Sequence, residues 1–130
     1  MKTRSAKNKG KRLQKEVQKD LEWLFEGILE DGDISNTIMG ENGRDIKLSP
    51  LAEKYIPYDV ECKNVESLKI WDAIDQAKAN NKKDGRVPIV VFRKNRTEAW
   101  CALPWSEVIR LLGCSHGIIR EIGERPKTEI

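Results

Sequence analysis

Histidine is almost missing from this chain: His116 is the only one. A single imidazole excludes any centre that needs two, such as a paired-histidine zinc site. Cysteine is also sparse, with Cys62, Cys101 and Cys114 the only three. An odd count excludes a fully paired disulfide framework, and the spacing lacks the close ligand pairs of a structural zinc site. Reduced thiols and a cytoplasmic setting are therefore expected. No apolar run approaches the ~20 residues of a membrane span, so no membrane association is expected. The basic start has no apolar stretch behind it, which argues against a secretory signal.

What is present is charge. Of the 130 residues, 35% are charged and 38% hydrophobic, the balance of one domain with a large polar surface. A chain of this length can bury a core without disulfides or metal staples. The net charge of +3 is uninformative, but its distribution is not. Lys2, Arg4, Lys7, Lys9, Lys11, Arg12 and Lys15 all precede the first acid, Glu16. Such a segment either neutralises phosphates of a polyanion or serves as a solubilising arm.

Residues 1–9 read as a disordered basic arm, 10–112 as a single domain and 113–130 as a C-terminal tail. From Gly10, the series Leu13, Val17, Leu21, Leu24 and Ile28 makes one helical face, and Gly32 is the stop signal. Two strand-like pieces follow, Ile34–Met39 and Asp45–Leu48, with a turn at 40–43. Ser49-Pro50 ends the second, and Leu51–Tyr55 forms a short helical turn. Tyr58–Lys63 alternates, with Tyr58, Val60 and Cys62 on one face and Asp59, Glu61 and Lys63 on the other. A helix over Leu68–Asn80, a buried strand over Val87–Phe92, a hairpin partner over Ala99–Leu103 and a helix over Trp105–Leu112 complete the order. Ser106 is the candidate N-cap of that last helix, with Glu107 in its first turn. The α-β-β-β-α-β-β-α order predicts an α/β fold, a mixed sheet flanked by helices. A right-handed crossover would make the strands holding residues 59–63 and 87–92 parallel.

Glu61 and Lys63 leave the same face of one strand. If the strand that Asp45 opens pairs with it, two carboxylates meet beside one ammonium. That equipment suits metal-assisted phosphodiester hydrolysis. Mg²⁺ takes hard oxygen ligands, here Asp45, Glu61 and the backbone carbonyl of Cys62. The lysine would stabilise charge at the phosphate. The competing reading is an exposed sheet face with a cross-strand ion pair.

Gly43-Arg44-Asp45-Ile46, then Val60-Glu61-Cys62-Lys63, then a helix, resembles the PD-(D/E)XK nuclease superfamily. Within it the likeness is greatest to archaeal and phage Holliday junction resolvase-like endonucleases. Those often open with a basic arm and a Lys-Gly start to the first helix, here Lys9-Gly10-Lys11-Arg12-Leu13-Gln14. The likeness spans roughly residues 7–103. It implies a restriction-endonuclease-like fold and a homodimer that cuts branched DNA with Mg²⁺ or Mn²⁺. Asp45 and Glu61 would be the metal ligands and Lys63 the catalytic lysine. A nickase or another phage-type DNA-processing nuclease is the alternative. A non-catalytic DNA-binding protein with a degenerate nuclease fold is the third reading.

Gln14, where the family often has an acid, and Glu16 are candidate supports for the metal, or a satisfied core glutamine and a surface glutamate. Gln76 matches a polar position common after the Glu-x-Lys strand. DNA contacts are expected from Lys7, Lys9, Lys11 and Arg12, and from the basic turn Arg93, Lys94 and Arg96, which otherwise is a solvated hairpin tip. Trp71 and Trp100 are expected in the core and Trp105 at the surface. Deleting residues 2–9 is expected to weaken DNA binding and flatten its salt dependence. The log–log slope should fall by up to about 0.9 for each phosphate no longer neutralised. An unchanged slope in a salt titration would mean a mere tail.

Overall fold

The computed structural model describes residues 4–36, 45–81 and 85–118. Helix α1 (Arg4–Leu24) leads into strands β1 (Ile34–Asn36) and β2 (Ile46–Leu48), then helix α2 (Pro50–Tyr55). Strand β3 (Tyr58–Asn64), helix α3 (Ile70–Asn80), strands β4 (Val87–Arg93) and β5 (Trp100–Ala102), and helix α4 (Trp105–Ser115) follow. The architecture is mixed α/β. β3 and β4 are parallel, with Glu61 beside Val90 and Lys63 beside Phe92, and β5 returns antiparallel to β4. α3 is the crossover that parallel neighbours require. Among the described residues no helix is long and apolar enough to cross a membrane.

Period-2 alternation in β3 divides the core in two. Val60 and Cys62, with Ile89 and Val91 packed beside them, join Leu13, Ile34, Ile46 and Ile56 under α1. Val90 and Phe92 join Ala73, Ala77 and Ile74 under α3. The Asp59, Glu61 and Lys63 side of β3 therefore faces α3, as its alternation predicts.

Several expectations need correction. The basic segment is not a disordered arm from residue 4 onward, because α1 already begins at Arg4. Lysine and arginine are good helix formers, and the Lys9 carbonyl accepts from Asn64 Nδ2 at 2.8 Å, which ties the first turns to β3. Charge removal at the exposed Lys7, Lys11 and Arg12 is thus a cleaner test than deletion. α1 ends at Leu24, ahead of Gly27 at φ +84°, leaving Ile28 exposed. The strand predicted over Ile34–Met39 is described only to Asn36, and the 40–43 turn lies outside the described residues. β1 and β2 form their own two-stranded sheet, so β2 does not ladder with β3. α4 runs past Leu112 to Ser115, so the tail does not begin at 113. A Schellman cap closes it: the Gly117 N–H donates to Cys114 and the Ile118 N–H to Gly113, with Gly117 at φ +67°. Ser106 is not its N-cap; Pro104 holds that position without a side-chain bond. Trp71 and Trp100 are 73% and 62% exposed rather than buried.

Polar contacts lock the start of β3. Ser49 caps α2, accepting from the Ala52 N–H at 3.1 Å and donating to Asp33 Oδ1 at 2.7 Å. Tyr58 donates its hydroxyl to Glu107, which anchors α4. Arg86, whose side chain is only 8% exposed, pairs with the buried Asp59 at 2.7 Å and donates to the carbonyls of Glu53, Ile56 and Tyr58. Arg86→Ala leaves the Asp59 charge buried without its cation and is expected to cost about 3–5 kcal/mol. Urea unfolding followed by circular dichroism checks this, and an unchanged midpoint would contradict it.

Candidate active site

Backbone direction on β3 decides how the site assembles. In an extended strand a residue's N–H and C=O leave toward the same edge. The bonds Val87 N–H to Pro57 O and Val65 N–H to Arg93 O assign the odd positions to the β4 edge. Val60 and Cys62 face the other edge, and Asp45 docks there. Its own N–H donates to Val60 O at 3.2 Å, and its Oδ2 accepts the Cys62 N–H at 2.7 Å. A carboxylate thus takes an acceptor position that a neighbouring strand would otherwise supply. The Cys62 carbonyl leaves β3 on this same edge.

Glu61 is only 3% exposed. Its Oε2 accepts from Asn80 Nδ2 at 3.2 Å, and its carboxyl is a hydrogen-bonding neighbour of Asp45. Burial, then the Asp45 charge, pushes its pKa up to about 7 against the opposing pull of Lys63 and Asn80. Lys63 Nζ donates to Gln76 Oε1 at 2.6 Å. Gln76 and Asn80 are four apart on α3, so one helix face holds both the ammonium and the acid. Asn80 was not anticipated from sequence; its spacing from Gln76 was the available signal.

Two buried acids on one face of β3 invite comparison. Asp59 has Arg86 as its cation and the Asn81 amide at 2.8 Å. Glu61 instead meets a neutral amide and a second carboxyl, while the Lys63 ammonium bonds Gln76. A buried like-charge pair is relieved by a proton or a cation. Two carboxylates without soft ligands fit a hard ion that keeps part of its water shell, the behaviour of Mg²⁺. Among the described residues no three His, Cys, Asp or Glu side chains cluster. The site therefore rests on the acid pair alone.

The other predicted residues disperse. Glu16 is not brought to the acids: its carboxylate pairs with Arg93 on the α1 side of the sheet. Arg93 is thereby half-buried and engaged, whereas Lys94 and Arg96 are exposed on their turn. Lys9 is half-buried, its ammonium 3.7 Å from Glu66. Gln14 is buried in α1, and its amide oxygen has no hydrogen-bond partner among the described residues. Such an oxygen calls for a donor or a cation.

No family model, curated protein or solved structure matches this chain. Its reading therefore rests on its own residues.

The raised Glu61 pKa has a definite sign. The folded, metal-free protein holds the Glu61 proton more tightly than an unfolded chain does. This contribution is complete below about 4.5, the ordinary carboxyl value, and is lost as pH rises through about 7. Glu61→Gln is therefore expected to raise the metal-free unfolding temperature at about pH 8 and change little at about pH 4. Mg²⁺ or Mn²⁺ should stabilise the wild type at about pH 8, much less at about pH 5, and Glu61→Gln at neither. Thermal unfolding in EDTA and in excess metal measures all of this. A variant less stable than wild type in EDTA at the higher pH would contradict the assignment.

Proposed function

We propose that the chain is a metal-dependent endodeoxyribonuclease of restriction-endonuclease-like architecture. Branched four-way DNA is its substrate, a homodimer its working form and the cytoplasm its setting. One observation carries the reading: a buried Glu61 against Asp45, with Lys63 two residues along the same strand face.

Asp45 and Glu61 would hold the ion, with the Cys62 carbonyl at the same edge. Mg²⁺ or Mn²⁺, when bound, supplies Lewis-acid polarisation of the scissile phosphate and a more acidic attacking water. Asn80 fixes the Glu61 carboxylate, and the Asp45 bond to the Cys62 N–H fixes the second acid. Gln76 holds one of the three ammonium hydrogens of Lys63, which leaves two to donate to phosphate oxygens. Those bonds strengthen as negative charge builds on the phosphate during attack. The exposed cations Lys7, Lys11, Arg12, Lys94 and Arg96 would neutralise backbone phosphates without reading sequence.

Lys63→Ala is expected to slow the chemical step by about 10²–10³ while leaving DNA affinity nearly intact, since the interaction it removes is strongest in the transition state. Single-turnover cleavage in Mg²⁺, beside DNA affinity and circular dichroism, is the test. Wild-type cleavage by folded Lys63→Ala would overturn the site. Failure of the wild type to cut duplex, nicked, flap or four-way DNA with any divalent ion would leave a DNA-binding protein instead.

A further inference from the structure

Register across the three-stranded sheet sets Lys63, Phe92 and Trp100 side by side in one transverse row. At roughly 4.8 Å between strands, Trp100 lies about 10 Å from the Lys63 position. Trp100 sits on a three-residue edge strand and is 62% exposed, though its neighbours are apolar. Beside it is a groove of about 220 Å³ lined by the apolar Val65, Leu68, Phe92 and Trp100 and by Lys94 and Thr97. That is smaller than the roughly 300–1,000 Å³ of a drug-sized ligand site, the scale of a single planar ring system. Glu66 and Arg93 also line it, but both are engaged: Glu66 accepts the Asn95 N–H at 2.6 Å, and Arg93 pairs with Glu16. The exposed Lys94 ammonium is the cation that remains to meet an anionic group.

An indole ledge, an apolar wall and a cation in one groove fit a nucleotide: ring on ring, phosphate on ammonium. We propose that Trp100 is a base-stacking platform and that this groove receives one exposed base of the DNA substrate close to the cleaved phosphate. The proposal rests on the nuclease reading and narrows its substrate class. Inside an intact duplex both faces of every base are covered by neighbours. Only a branch point, a flap, a gap or a single-stranded flank presents a free face. Trp100 therefore selects such DNA over continuous duplex, and it is a specificity residue rather than a catalytic one.

Binding of the full chain is measured in EDTA, where no cleavage is needed, on continuous duplex, gapped duplex, flap and four-way DNA. Each DNA carries 2-aminopurine at its exposed base, or at the matching position of the duplex. The wild type should favour the three discontinuous forms and quench their fluorescence. Trp100→Ala should bind those forms about 5- to 150-fold more weakly, abolish the quenching and leave duplex binding unchanged. Trp100→Phe should retain most of the preference, and the exposed position makes both variants foldable. The form whose affinity drops furthest identifies the natural source of the base. Unchanged affinities in Trp100→Ala, or an equal drop on continuous duplex, would overturn stacking. So would unchanged affinities with altered sedimentation of the free protein, which would make the groove a subunit contact. A wild type that cuts no DNA but keeps the Trp100-dependent preference would sink the nuclease reading and leave the platform standing.

Discussion

Glu61 is a carboxylate removed from water and set against a second carboxylate, and the elements around β3 keep it there. β4 occupies one edge of β3, Asp45 the other, and α3 covers the face from which Glu61 projects. Burial and the Asp45 charge raise the energy of the ionised Glu61, while Asn80 on α3 and Lys63 partly offset them. Asp59, two residues earlier on the same face, shows the compensated case, since Arg86 and Asn81 meet its charge from within the chain. One acid on this face is thus neutralised by an arginine of the chain, while its neighbour lies against a second carboxyl.

The two faces of the sheet divide the labour. The α1 side buries Leu13, Val60 and Cys62 and carries packing. The α3 side carries a smaller apolar cluster and, beside it, the polar groups Lys63, Glu61 and Gln76. Because strand residues alternate between faces, changes at positions 61 and 63 reach the site without opening the α1 core. The Arg86–Asp59 pair joins both functions, since its guanidinium also gathers the backbone at the start of β3.

Cation and tryptophan placement gives the surface its character. All four tryptophans are more than 60% exposed, which is uncommon for a residue that usually buries most of its area. Trp100 acquires meaning from its row with Phe92 and Lys63, not from its own exposure. The turn between β4 and β5 adds two exposed cations, Lys94 and Arg96.

Much of this was legible in the linear order of residues. Alternation over 58–63 assigned Val60 and Cys62 to one face and Asp59, Glu61 and Lys63 to the other. The helix between two apolar strands implied the parallel pair that β3 and β4 form. Local rules suffice there, because period and chain connectivity fix the geometry. Other features depended on groups distant in sequence. A Lys9 carbonyl meeting Asn64 carries α1 back to Arg4, where charge pattern alone read disorder. Arg93 draws Glu16 away from the acids, and Arg86 turns Asp59 into a lock while Glu61 lies against the Asp45 carboxyl. Apolar neighbours marked Trp71 and Trp100 as core, yet neither is covered by another element. Sequence by itself determined which residues share a face, because that follows from backbone period. Only the tertiary structure decided which charges meet and which rings stay bare, because a side chain's partner lies across the fold, where spacing has no reach.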